Sequence, residues 1–173
     1  MPAGSLQMGY TIRIENAIAI AHDLKKQGKN IVFTHGAFDL FHAGHSLFLN
    51  KSKKEGDVLI VGVDADKNIK QYKSLLRPVI SENHRLEVIT NHLATDFAFL
   101  INEAESVNTS FYIELYKALE PSIITLGKKS HAHKNFEARE KATKELGAEI
   151  KEVDAEVTST TKIISSIVNI YAK

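Results

Sequence analysis

The stretch from Asp57 to Asp66 reads DVLIVGVDAD, a run from Val58 to Val63 without a polar side chain, with a carboxylate at either end. A half-exposed strand would alternate polar and apolar residues, and a helix needs roughly ten or more positions. So short and uniformly apolar a run reads as a strand covered on both faces. Such strands belong to parallel sheets, whose crossover helices lie above and below. A second run, KNIVFTHG from Lys29 to Gly36, has the same character. Between the two, Ala43 to Glu55 carries helix-compatible residues around Leu47 and stops at Gly56, so the segment spells strand, turn, helix, strand with a right-handed crossover.

The alternation continues along the chain. Ile14, Ala17, Ile18, Ala21 and Leu24 recur at helical spacing between Tyr10 and Gln27, with Gly28 as the stop. Beyond the second strand we expect a polar loop over Tyr72 to Ile80, a helix over Ser81 to Asn91, a strand over Phe97 to Ile101 and a helix over Asn108 to Leu119. After Pro121 comes the buried strand SIITLG. NFEAREKATKELG reads as a helix ended by Gly147, and AEIKEVD as an edge strand. STTKIISSIVNIYAK closes as a helix with Ile163, Ile164, Ile167, Ile170 and Tyr171 on one face. The pattern predicts a single α/β domain, a Rossmann-like, doubly wound parallel sheet of about five strands with helices on both faces. That domain spans residues 10–173; residues 1–9 are set aside as a leader or expression remnant, with Met8 as an alternative native start.

Composition agrees. The chain has 173 residues, 43% of them hydrophobic and 25% charged, with a net charge of +1, which describes one globular domain with a full core. The absence of cysteine excludes a disulfide framework and a thiolate metal site. No apolar run approaches the roughly 20 residues that span a bilayer, and the opening MPAGSLQMGY lacks the basic and apolar regions of a signal peptide. The expected location is the cytoplasm, with no membrane partner. Near-neutral charge also argues against a nucleic-acid partner.

In an open parallel sheet, ligands bind beyond the carboxyl ends of the strands, where the strand order reverses. The exit of the first long strand carries THGAFDLFHAGH. Gly36 and Ala37 allow close backbone approach, and a helix beginning near Ala43 offers free N–H groups to an anion. His42 and His45, one turn apart, share a face. Three roles fit them: a metal pair, histidines satisfied within the helix start, or ligands for phosphate. A zinc site wants three or four protein ligands, and the other close pair, His131 and His133, stands in a separate polar loop.

The segment GAFDLFHAGH resembles the signature of the cytidylyltransferase-like nucleotidyltransferases, in which a G-x-F-D turn leads into an H-x-G-H helix start. GDVLIVGVDAD, KQYKSLLRPVISENHR, SIITLG and TSTTKII then follow in that family's order, so the resemblance runs from Lys29 onward. Within the family the likeness is greatest to the heptose 1-phosphate adenylyltransferases, through Lys73, Arg77, Pro78, Val79, Arg85 and the S-T-T before the last helix. The glycerol-3-phosphate cytidylyltransferases come second; the arginine they carry ahead of S-T-T is replaced here by the acidic stretch VDAEVT. Two features depart from the heptose type. Lys128 and Lys129 follow Gly127 where both branches place an acidic residue, and His35 stands where asparagine is usual. The first departure implies a more basic pocket at the base or the acceptor.

The resemblance implies an enzyme, a homodimer, that moves AMP or CMP from a nucleoside triphosphate, accompanied by Mg2+, to a phosphomonoester. It assigns catalysis to His42, His45 and Lys73, and nucleotide binding to Gly36, Ala37, Phe38, Gly44, Arg85, Gly127, Thr158, Ser159, Thr160 and Thr161. Asp39, Lys70, Arg77 and Lys128 fall to the acceptor. Asp64 and Asp66 read as outer-shell or ribose partners or as polar strand ends, and His22, His84 and His92 as surface or helix positions. No carboxylate cage for a metal is visible. A non-catalytic nucleotide-binding regulator is the alternative of another class.

Overall fold

The two apolar runs form adjacent parallel strands at the centre of a sheet in the computed structural model, which describes residues 9–102, 109–128, 136–155 and 157–172. β2 (Ile31–Gly36) pairs with β3 (Val58–Asp64) in continuous register, from Ile31 opposite Val58 to Gly36 opposite Val63. β4 (Phe97–Ile101) lies beyond β3, while β5 (Ile123–Gly127) and β6 (Glu149–Val153) extend the sheet from the other side of β2. A two-residue strand, β1 (Tyr10–Thr11), closes the outer edge of β4. The order is β1-β4-β3-β2-β5-β6, with every pair parallel.

The sheet thus has six strands rather than about five, and the additional one is β1, where the first helix was expected to begin. Tyr10 donates its N–H to the Asp96 carbonyl at 3.0 Å and Ile12 to that of Ala98 at 2.9 Å, so the helix α1 (Ile14–Lys26) starts only at Ile14. Gly9, set aside with the leader, donates its N–H to the Thr90 carbonyl at 3.1 Å.

Successive side chains of the central strands feed two cores. Phe33, Ile60 and Phe99 face α1, α5 (Thr109–Leu119) and α6 (Phe136–Glu145) through Ala17, Tyr116 and Phe136. Val32, Leu59 and Val61 face α2 (Ala43–Lys53) and α4 (Glu82–Thr90) through Leu49 and Ile89. Each such side chain contributes about 1.5–3 kcal/mol by leaving water, which is why neither face of β3 carries a polar residue before Asp64. α1 ends where Gly28 takes φ +77°, and the Lys29 N–H then closes on the Leu24 carbonyl.

Two helices depart from expectation. A short helix, α3 (Asp66–Tyr72), fills the stretch between β3 and the polar loop. The closing helix α7 (Thr160–Tyr171) forms, but its apolar face is largely open: Ile167 is 48%, Ile170 61% and Tyr171 79% exposed, and Ile163 and Ile164 are half-buried. The helix start expected at Asn108 lies outside the described residues. No helix among those described is long and apolar enough to cross a membrane.

From β2 the chain proceeds to β3 and β4 on one side, then returns to β5 on the other. The crevice this reversal leaves beyond the ends of β2 and β5 positions the site.

Candidate active site

The turn after β2 is set by a buried carboxylate. Asp39 is 1% exposed; it accepts the N–H groups of Val79 and Ile80 at 3.0 Å and Arg77 Nε at 2.7 Å. Burial alone would raise its carboxyl, but the N–H groups of Ile80 and Val79 and the Arg77 guanidinium outweigh that and hold it below its ordinary value. The Asp39 carbonyl accepts from Thr160 Oγ1 at 2.8 Å, which brings the first turn of α7 against the turn after β2. Phe38 and Leu40, either side of Asp39, take positive φ of 49° and 46°. Without β-carbon freedom to spare, such residues stay there only where surrounding contacts enforce it, and the bonds to Asp39 supply them.

Beyond this turn His42 occupies the N-cap position of α2 and His45 lies one turn in. Their rings stack at 3.8 Å between centroids and 17° between planes. Gly44 makes this possible: a β-carbon there would sit 3.0 Å from the His42 ring and 3.2 Å from the Ala155 carbonyl oxygen. Phe38 packs edge-on against the His45 ring at 5.5 Å and Phe41 tilts against it at 5.6 Å. Burial, then coupling to the neighbouring His42 and Lys73, pushes the His45 imidazole down to about 3, with Asp39 pulling weakly the other way. Burial lowers His42 as well. Both rings are neutral at pH 7, each with one N–H to donate.

These histidines form one wall of a cavity of about 720 Å3. The facing wall is the start of α7, where Ser159 caps the helix by accepting the Lys162 N–H at 3.2 Å and Thr158, Thr160 and Thr161 flank it. A third side comes from Lys73, Ser74 and Arg77 in the loop after α3. Burial, then the neighbouring Arg77 charge, lowers the Lys73 amine. The last side lies at the ends of β5 and β6, with Gly127, Lys128, Val153 and Ala155. Lys128 pairs with Asp154 at 2.9 Å on the surface, and a β-carbon on Gly127 would meet no heavy atom within 4 Å. Three nitrogens of lining residues, His42 Nδ1, His45 Nδ1 and Arg77 Nη2, are buried with no protein partner among the described residues. Buried nitrogens without partners cost free energy unless a ligand or solvent satisfies them.

Of the residues the sequence singled out, the fold gathers His42, Gly44, His45, Lys73, Arg77, Gly127, Lys128 and Thr158 to Thr161 around this cavity. Others lie elsewhere. Arg85, expected to hold a phosphate, is 2% exposed beneath the turn: it donates to the carbonyls of Ala37, Ile80 (2.9 Å) and Asp64 (2.7 Å) and to Asp66 Oδ1 at 2.8 Å. Its fork is occupied by the protein. Asp39, expected to meet the acceptor, is likewise committed to the loop, and the Phe38 side chain supports His45 from the core. Gly36 and Ala37 lie under the turn, outside the lining, and Lys70 is exposed on α3 away from it. Asp64 at the end of β3 and Asp66 at the start of α3 are turned to structure, Asp64 accepting from Tyr72 and Tyr112 and Asp66 from Arg85. His35 is half-buried, stacked on Tyr112 at 4.0 Å with Nε2 3.0 Å from the Tyr116 hydroxyl. His22 and His92 bond to Ala118 and Ser46. His131, His133 and Lys129 lie outside the described residues.

Sequence reasoning missed Phe48, Ser74, Val153 and Ala155. Phe48 is one turn beyond His45 on the same face, and the β6 pair would follow from the rule that strand ends beside the switch point line the site. Among the described residues no group of three or more His, Cys, Asp or Glu side chains could hold a metal ion.

A wholly parallel sheet with a crevice at its switch point is the architecture of an α/β protein of the Rossmann-like class. The cytidylyltransferase-like family model matches residues 33–167, and the chain belongs to that family. It is 36% identical over 148 residues to the bifunctional protein HldE of Desulfatibacillum aliphaticivorans, and 34% over 149 residues to that of Wolinella succinogenes. These alignments cover 85% and 86% of this chain but only 29% of each relative, so the chain spans less than a third of their length. Among solved structures, the lipopolysaccharide core biosynthesis protein of Thermoplasma volcanium matches with TM-score 0.58 and 31% identity over 73% of this chain and 96% of that one. A pantoate-beta-alanine ligase from Francisella tularensis, in complex with Beta-gamma ATP and beta-alanine, shares the fold at TM-score 0.60 and 15% identity over 95% of this chain and 80% of its own.

Proposed function

We propose that the protein is a nucleotidyltransferase that moves AMP from ATP to a sugar 1-phosphate of the heptose type, releasing pyrophosphate, and that it works in the cytoplasm as a homodimer. The observation that carries this reading is the gathering of His42, His45, Lys73 and Arg77 around one cavity bounded by Thr158 to Thr161 at the start of α7. The relatives named HldE and the Thermoplasma lipopolysaccharide core biosynthesis protein support the acceptor class.

In this reading an oxygen of the acceptor phosphate attacks the α-phosphorus in line. The bond from that phosphorus to the bridging oxygen breaks, and pyrophosphate departs with the electron pair. A phosphate monoester is already a nucleophile, so catalysis consists of positioning and charge stabilisation. His42 and His45 donate neutral N–H groups to the α- and β-phosphate oxygens, where charge grows as the bond breaks. Lys73 and Arg77 hold the α-phosphate against the acceptor phosphate. The hydroxyls and free N–H groups of Ser159 to Thr161 cradle the triphosphate tail. Mg2+ enters on the triphosphate as part of the substrate. Lys128 stands beside the acceptor or the base.

The test is pyrophosphate release with ATP or CTP against heptose 1-phosphate, other sugar 1-phosphates, glycerol 3-phosphate, phosphoglycerates and phosphoethanolamine. We expect ATP with heptose 1-phosphate to be the most efficient pair. Faster turnover of CTP with glycerol 3-phosphate would move the protein to the cytidylyltransferase reading. Tight nucleotide binding without release from any pair would instead mark a regulator.

A further inference from the structure

Lys73 stands at the end of α3, where it caps the last turn and leads into a loop whose next apolar residues are almost fully exposed: Leu75 at 84% and Leu76 at 90%. Such a loop carries little packing of its own. Two buried carboxylates instead fasten it. On the far side of Lys73, Arg77 is tied to Asp39 at 2.7 Å. On the near side, the hydroxyl of Tyr72, the residue immediately before the lysine, donates to Asp64 Oδ2 at 2.6 Å. Asp64 cannot drift, because it is 2% exposed at the end of β3, its other oxygen accepts from Tyr112 at 3.0 Å, and its carbonyl accepts from Arg85 at 2.7 Å.

We propose that Tyr72 is a positioning residue for Lys73: its hydroxyl, docked on the buried Asp64 carboxylate, fixes the last turn of α3 and thereby the place of the lysine on the cavity wall. The inference rests on the role given to Lys73 under the proposed function. Tyr72 touches neither phosphate nor acceptor in this arrangement, and acts only by restricting where the amine can go. A lysine on a free loop end would sample many rotamers; one whose preceding residue is hydrogen-bonded to a rigid strand end starts close to the reactive geometry. The Asp39–Arg77 bond on the other side leaves the loop apex free to shift while both ends stay in place.

The variant Tyr72→Phe removes the hydroxyl and keeps the ring, and it is tested in the full chain. Steady-state pyrophosphate release should show kcat lowered about 10- to 100-fold, the loss expected when a catalytic group is misplaced by an ångström or less. KM for the nucleotide should stay within twofold, while the melting temperature should fall by a few degrees because the buried Asp64 Oδ2 loses its donor. A second readout needs no turnover. Lysines are reductively methylated with 13C, and the Lys73 resonance is identified by its loss in Lys73→Arg. In the parent protein, though the residue is exposed, it should titrate below the other lysines, owing to partial desolvation of its amine at the cavity wall and to Arg77, with Asp39, Asp64 and Arg85 also acting on it. In Tyr72→Phe it should move to the position and titration of a surface lysine. An unmoved Lys73 signal overturns the positioning role, as does kcat within twofold of the parent. If no acceptor supports turnover, the resonance alone decides: a shift in Tyr72→Phe sustains the placement while the proposed activity falls.

Discussion

His45 carries an imidazole pushed down to about 3 by burial and then by its coupling to the neighbouring His42 and Lys73, whereas in the unfolded chain it titrates near 6.5. Between those values the unfolded chain holds the proton and the folded protein does not. Stability is therefore fully present above about pH 6.5 and is lost as the pH falls toward 3. His35, lowered by desolvation where it stacks on Tyr112 and by Arg139, adds in the same direction. Urea unfolding at pH 7.5 and pH 5.0 should show the loss, and His45→Gln should make it smaller. The same histidine should matter to chemistry in another way: His45→Ala should lower kcat for pyrophosphate release by about 10²–10³ with a smaller change in KM, as for a donor to developing charge. Arg85 is predicted to behave oppositely. Arg85→Lys keeps the charge but cannot reach the carbonyls and carboxylate that its fork spans, and should cost about 3 kcal/mol in urea unfolding, with little effect on nucleotide affinity once folded. Here the limit of sequence reading is plain. The order of Arg77, Pro78 and Arg85 suggested two anion-binding cations, but a one-dimensional string shows no carbonyl oxygens. That Ala37, Ile80 and Asp64 all turn theirs toward Arg85 follows from a turn with positive φ at Phe38 and Leu40, which nothing in the residue types announces.

At the scale of elements, α2 illustrates a conflict between helix formation and the site. Alanine is favoured over glycine inside a helix by about 1 kcal/mol, so Gly44→Ala should not lower the melting temperature through the helix itself. The added methyl, however, meets the His42 ring and the Ala155 carbonyl at the distances given above. Calorimetric titration should show nucleotide affinity weakened about tenfold, or about 1.4 kcal/mol, in a protein of near-parental melting temperature. The long strands and amphipathic helices were legible because burial on two faces, or on one, leaves a period in the residues. β1 left none, being only Tyr10 and Thr11, recognised by the edge it pairs with. α3 is seven residues of mostly polar chain, with too few apolar positions to declare a face. α7 shows a different gap. Its isoleucines recur at helical spacing, yet spacing reports only that a face exists, and in the structure most of that face meets solvent.

For the whole molecule, the cavity is the point at which separate parts of the chain depend on one ligand. A ligand that binds only the folded state stabilises it by about 2.7 kcal/mol at a hundred times its Kd, so ATP with Mg2+ should raise the melting temperature in a concentration-dependent way. Lys73→Ala and His42→Ala should blunt that shift more than Arg85→Lys does. The fold class could be read from alternation alone, and the position of the site from the switch-point rule. Which walls meet across the crevice required knowing that β5 returns to the side of β2 opposite β3. That return also divides the polypeptide. A backbone cut between Asn102 and Thr109 would leave His42, His45 and Lys73 on one fragment and Gly127, Ser159 and Thr161 on the other. Under the proposed function neither fragment alone carries every wall that would hold the triphosphate, so the pair would serve as a split reporter in which nucleotide drives, and signals, the reunion of the two halves.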